Sequence, residues 1–155
     1  MSGTTTTSGG NPQVDQGTIN RLRQSLIVPD LTTLNITASF LGRGAIRWEP
    51  EGQVTDEQQT LTGVVQSPAP YVMVNVTANL LRTQALASRW RAQMESLSTI
   101  GQIVVTCDTT SYQPLPLFNC AIRAAPGADF AGTDASYNVV IRGVYQVNSS
   151  LFAGI

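Results

Sequence analysis

The sequence predicts a mainly β, α+β domain: an antiparallel β-sandwich or barrel with one flanking α-helix at about residues 83–98 and a flexible N-terminal arm. Three observations lead there. Several stretches alternate apolar and polar residues with period two, one segment repeats apolar residues at helical spacing, and the first seventeen residues have almost nothing to bury. At 155 residues the chain suffices for one domain with a real core, because domains of this size bury roughly two-thirds or more of their unfolded surface. Its organisation is an arm with a short helical segment over 1–30 and a β domain over 31–155.

The arm begins MSGTTTTSGGNPQVDQG, rich in Ser, Thr and Gly. From Thr18 to Val28, Ile19, Leu22 and Leu26 fit a short helical stripe that Pro29 ends. Leu34, Ile36, Ala38 and Phe40 then alternate with Asn35, Thr37 and Ser39, which predicts a half-buried strand broken by a turn at Gly42-Arg43-Gly44. Ala45 to Trp48 reads as a second strand. The polar run through Gln59 reads as an exposed loop or hairpin tip, and Thr60 to Ser67 as a further strand.

Tyr71 to Leu80 alternates throughout, with Val72, Val74, Val76, Ala78 and Leu80 on one face. Tyr71, Met73, Asn75, Thr77 and Asn79 form a mixed second face, suited to contact with another subunit or to ordinary exposure. The helix follows: Thr83 is placed to cap it, and Leu86, Trp90, Met94 and Leu97 recur on one stripe. Strands resume at Gln102–Asp108, Leu117–Ile122 and Ser136 to about Val147. Gly143 inside the last predicts a bulge or bend.

Composition argues against chemistry. The chain has no His and no Lys, and all nine cations are Arg. That removes His-type metal sites, Ser/His and Cys/His pairs, Schiff-base lysines and the phosphate-loop lysine. Carboxylate pairs survive, Glu49 with Glu51 or Asp56 with Glu57, but beside Pro50 and Gly52 a solvated loop is the better account. The expectation is a non-enzymatic protein with no catalytic residue, no metal and no cofactor.

Only 12% of residues are charged, against about 25% in ordinary globular chains. A surface this sparse in charge fits burial against other protein. A net charge of −1 gives no sequence-wide basic field for DNA, and Arg21 with Arg23 and Arg89 with Arg91 are local pairs. The N-terminus lacks the layout of a signal peptide, and no apolar run approaches the roughly 20 residues of a membrane span, so a soluble protein made in the cytoplasm is expected. Cys107 and Cys120 have no C-x-x-C spacing and are expected as buried thiols, although neighbouring strands could bring them close.

From Gly101 onward, GQIVVTCDTT and LFNCAIRAAPGADFAGTDASYNVVIRGVYQVN resemble the C-terminal half of a contractile-phage tail-tube-type protein. The resemblance rests on Phe130-Ala131-Gly132-Thr133, Tyr137 to Ile141, Gly143 and Val147-Asn148. The segment TGVVQSPAPYVMVNVTANLLRTQALASRW extends it, so that it covers roughly residues 31 to 150. It implies a tail-tube-like β domain, the fold also of the secreted ring protein of type VI secretion systems and of some baseplate proteins. It implies a homohexameric ring of the tail tube or of its junction with the baseplate. Rings stack, DNA passes through the lumen without specific binding, and other tube, sheath or baseplate proteins are partners. The location implied is a virion tail assembled in the host cytoplasm, with no membrane partner. The long arm and the low acidic content depart from a minimal tube subunit and suit a specialised ring at the tube–baseplate junction.

For such an assembly Arg43, Arg47, Arg82 and Arg142 are the candidate cations of intersubunit carboxylate pairs. Tyr71, Met73 and Tyr112 are further candidate contacts, and Gly132 and Gly143 candidate structural glycines. The candidate rim elements are the Glu49–Gln59 loop, the Tyr112–Pro116 loop and the arm. The alternative function is a receptor- or carbohydrate-binding β-sandwich that uses Trp48, Tyr71 or Tyr112 as exposed stacking platforms.

Overall fold

The computed structural model describes residues 13–154, so most of the stretch expected to be flexible, residues 1–12, lies outside the described residues. The strands are β1 (Ser25–Ile27), β2 (Leu41–Glu51), β3 (Thr55–Gln59), β4 (Val64–Pro68) and β5 (Tyr71–Leu81). After helix α1 (Ala85–Ser96) come β6 (Thr99–Thr106), β7 (Leu115–Ala124) and β8 (Ser136–Gln146). Six strands form one curled antiparallel sheet in the order β1-β6-β7-β8-β5-β2, and β3 and β4 make a separate hairpin. The mainly β architecture with one helix is the one that the sequence predicts.

The core lies on one face of this sheet. Val72, Val74, Val76, Ala78 and Leu80 of β5 all point into it, as do Tyr137, Val139 and Ile141 of β8. Period two thus converts directly into a buried face and an uncovered one. Helix α1 packs on the core with Leu86, Ala87 and Trp90, the last only 1% exposed. Met94 is half-buried, but Leu97 is 61% exposed, because the helix has already ended at Ser96 and Leu97 is extended. Gln84 precedes the first helical turn, and no side-chain cap bond forms there, so the capping role expected of Thr83 is not used.

Three elements differ from expectation. Residues 18–28 are not helical: a turn at Arg21-Leu22 leads into β1, where Leu26 pairs with Val105 of β6 on one side and bridges Ile36 on the other. Leu26 and Val28 are fully buried, so the β domain begins before residue 31. Ile19 and Leu22 stay 66% and 76% exposed; a two-sided strand position for Leu26 outweighs a helical stripe of three residues.

Leu34 to Phe40 is not a strand. It consists of two 3-10 turns, Thr32–Leu34 and Ala38–Phe40, closed by Leu34 N–H to Leu31 O and Phe40 N–H to Thr37 O. The alternating burial survives all the same, with Leu34 and Ile36 buried and Asn35 and Thr37 more open. Burial fixed the pattern, and the lack of a partner strand on one side left the backbone free to turn.

Gly42-Arg43-Gly44 does not end a strand but forms a bulge inside β2. Between the pairs Leu41–Leu80 and Ile46–Ala78, five steps of β2 face two of β5. The side chain of Asn79 fills the space beneath: a Cβ on Gly42 would lie 2.6 Å from its Oδ1 and one on Gly44 2.7 Å from its Nδ2.

Candidate functional site

The sheet face opposite the core has no covering element among the described residues. Strand register places Arg47, Glu49 and Glu51 of β2 beside Thr77, Asn75 and Met73 of β5, and Asn75 beside Arg142 of β8. Ala121 of β7 lies next to Arg142, and Arg123 is two residues on, on the same face. The face spans four strands and is mixed, since Met73, Val140, Val144 and Phe118 share it with the charged groups.

At its centre sits Glu51. Its Oε2 accepts a hydrogen bond from Arg142 Nη2 at 2.8 Å, and its Oε1 one from Arg123 Nη1 at 3.0 Å. Asn75 donates from Nδ2 to Glu51 Oε1, and its own Oδ1 accepts from Arg123 Nη1 at 3.1 Å. The hydrogen bonds from Asn75 and then Arg123, with the field of Arg142, hold the Glu51 carboxyl below its ordinary value. These side chains are 38–46% exposed, so the network is a surface one and moderate in strength. Two polar atoms on this face, Asn79 Oδ1 and Arg142 Nε, are shielded from solvent without a hydrogen-bond partner among the described residues.

The sequence-selected residues fall in different places. Arg142 and Arg47 lie on the uncovered face, but both have partners of their own: Arg142 pairs with Glu51, and Arg47 with Glu49 at 2.8 Å. Arg82, at the end of β5, donates from Nη2 to Asp134 O at 2.8 Å and from Nη1 to Ser136 O at 3.3 Å. Its guanidinium also lies 5.3 Å from the centre of the Phe130 ring, so it fastens the 125–135 loop rather than standing free. Neither Arg43 nor Arg82 has an ion pair among the described residues, but Arg82 is held by backbone carbonyls. Met73 is half-buried on the uncovered face, and Tyr71 at the same strand's start is 53% exposed. Tyr112 is exposed in the loop after β6, apart from all of these.

Gly132 has φ +87° in an open bend, a backbone that favours glycine. The irregularity expected at Gly143 is on its neighbour: between Phe118–Val144 and Ala121–Arg142, β7 carries one extra residue, with Asn119 at φ 53°. Strand β8 runs past Gly143 in unbroken register with β5. The Glu49–Gln59 loop is largely strand, its first part in β2 and its last in β3. Trp48 is no exposed platform, since it faces inward and packs edge-on against Tyr145 with centroids 5.3 Å apart.

Asn75 and Arg123 were not singled out as site residues by sequence, and Glu51 was weighed only as half of a carboxylate pair with Glu49. The signal for Glu51 was the alternation Arg47, Glu49, Glu51, which is a strand pattern hidden by Pro50 and Gly52.

Edges matter as much as the face. β2 is eleven residues long and pairs with β5 on one side only. A free edge of that length is a template for another chain. The bulge and Pro50 blunt part of it.

No family model matches the chain, and no curated protein matches it. Among solved structures, the cryo-EM structure of the anti-feeding prophage cap, a tube-terminating cap, is similar with a TM-score of 0.50. The match covers 88% of this chain and 97% of that one, at 13% identity. The two share a fold. The likeness runs nearly end to end in the cap, so its architecture is a whole-chain correspondence rather than a shared sheet fragment. Among the described residues, no three His, Cys, Asp or Glu side chains group as a metal site would require, and no helix is long and apolar enough to cross a membrane.

Proposed function

We propose that the chain is a non-catalytic structural protein of a contractile-tail-type particle, assembling as a homohexameric ring at an end of the tail tube. The observation that carries this is the fold shared across 97% of a tube-terminating cap. A fold alone hosts many functions, so the physical features of this chain add the necessary support. A long one-sided edge strand, an uncovered sheet face of mixed character and sparse charge all fit a subunit whose surfaces meet copies of itself. The absence of His and Lys supports a role without catalysis.

In the ring, each contact is heterologous, one surface of a subunit meeting a different surface of the next, and closure stops growth in the ring plane. The uncovered face lines the channel. Its three guanidinium groups at positions 47, 123 and 142 share the two carboxylates of Glu49 and Glu51, and the single positive charge left over is little to hold passing DNA. Tube, sheath or baseplate proteins are the partners at the ring's two rims, and the particle is a phage tail or tail-like body.

The test is the mass and the negative-stain image of the purified full chain. Sixfold rings or short tubes are expected. A strict monomer at high concentration, with tube partners present or absent, sinks the proposal.

A further inference from the structure

The β3–β4 hairpin has no core. Every residue from 56 to 67 is exposed, Leu61 at its tip fully so, and Val64 and Val65 are about half exposed. Its five cross-strand pairs, Thr55–Pro68 through Gln59–Val64, and the Thr60 N–H to Gly63 O bond of 2.8 Å define a regular hairpin. A solitary two-stranded hairpin is marginally stable in water, so this one is shaped for a surface that it does not find among the described residues. Its charge is one-sided: Asp56 and Glu57 are its only ionised side chains, and no cation occurs between Gly52 and Leu81. Because neighbours in a strand point to opposite faces, one face presents Asp56 with Val65 and the other Glu57 with Val64.

The complement lies at the far end of β2. A groove of about 390 Å³ is lined by Arg21, Leu22 and Gln24 from the segment before β1 and by Leu41, Arg43 and Ala45 from β2 and its bulge. It holds two arginines and no carboxylate. Neither Arg21 nor Arg43 has an ion pair among the described residues, and the two come from different segments. Leu22 is 76% exposed beside them. The hairpin follows the C-terminal end of β2, whereas the groove is built around its N-terminal end, roughly 24 Å away by the register from Leu80 to Met73 of β5. One chain cannot bring the two together, but two copies related head to tail can.

We propose that the β3–β4 hairpin of one copy seats in the arginine-lined groove of the next. This rests on the ring assembly proposed above and names the contact that joins neighbours. Asp56 and Glu57, one on each hairpin face, meet Arg21 and Arg43, one from each lining segment. Val64, Val65 and Leu61 cover Leu22 and Leu41. The contact is heterologous, as a cyclic assembly demands.

A charge-exchange experiment on the full chain tests it. One variant carries Asp56→Arg and Glu57→Arg, the other Arg21→Glu and Arg43→Glu. All four positions are exposed, so circular dichroism should show both variants folded like the parent. At low salt each variant alone should associate at least about tenfold more weakly than the parent by sedimentation, since like charges then face each other. An equimolar mixture should recover assembly, because each arginine hairpin meets a glutamate groove and each acidic hairpin an arginine groove. Parent-like rings from both variants would overturn the contact while leaving the ring itself standing. Loss in both with no recovery on mixing would overturn the contact as well, and a parent that never associates would overturn contact and ring together.

Discussion

A Cβ placed on Gly143 would overlap the Sγ of Cys120, and it would lie 3.1 Å from the Cβ of Leu117. The extra residue in β7 presses Cys120 against β8 at the point where β8 has no side chain. Close approach, rather than backbone freedom, is what demands glycine there.

Gly143→Ala should therefore destabilise the fold by about 1–3 kcal/mol through overpacking, and Gly143→Val by more, disturbing the last strand and with it assembly. Urea denaturation measures the loss. Cys120→Ala in the same chain should return part of it. If the double variant is no more stable than Gly143→Ala alone, the overlap with the thiol is not the cause.

Glu51 gives a pH signature. Its folded-state pKa is depressed below the ordinary 4.5, so its contribution is in place above that value and is lost as pH falls through the folded pKa. Glu51→Gln should be less stable than the parent near neutral pH, since Arg142 and Arg123 lose their carboxylate partner. The two proteins should converge on acidification below the carboxylate range. A stability gap that persists unchanged in acid counts against the network.

Asn148 holds the base of the hairpin. Its Nδ2 donates to Ala69 O at 2.9 Å and Val54 O at 3.2 Å, while its own backbone is left-handed at φ 49°. Asn148→Gly removes the clamp without adding backbone strain. It should cost about 0.5–1.5 kcal/mol and speed hydrogen exchange at the Ala69 amide, which bonds Val54 O at 2.8 Å. Unchanged exchange there would remove Asn148 from the account of hairpin order.

The two thiols should differ in reactivity. Burial pushes the Cys120 thiol up to about 11, whereas Cys107 is partly exposed. At mildly alkaline pH one thiol should react with a disulfide reagent readily and the second only on unfolding. Cys120 pairs with Gly101, six residues along β6 from Cys107, roughly 20 Å at strand spacing. That separation bars a disulfide between them, so two fast thiols or none would contradict the packing.

Sequence made β5 and β8 legible almost to the residue, because both are central strands whose alternate side chains must enter the core. The helix was legible from Leu86 and Trp90 for the same reason. Leu34 to Phe40 shows the limit: alternation reports burial, and burial can be met by 3-10 turns as well as by a strand. In the candidate site, Arg47 and Arg142 were found but not their partners, since an ion pair between residues 51 and 142 has no local signature.

By itself the sequence determined the buried faces of the central strands β5 and β8, the one helix, and a chain too poor in His and Lys for the common catalytic devices. Those are properties of composition and of short-range period, and each is written within a few residues. Tertiary structure alone decided that the irregularity opposite Gly143 belongs to β7, that Arg82 and Arg142 are committed within the chain, and that an acidic hairpin and an arginine groove sit at opposite ends of β2. Each of those depends on strand order and register, which bring together residues tens of positions apart, and no local pattern encodes such pairings.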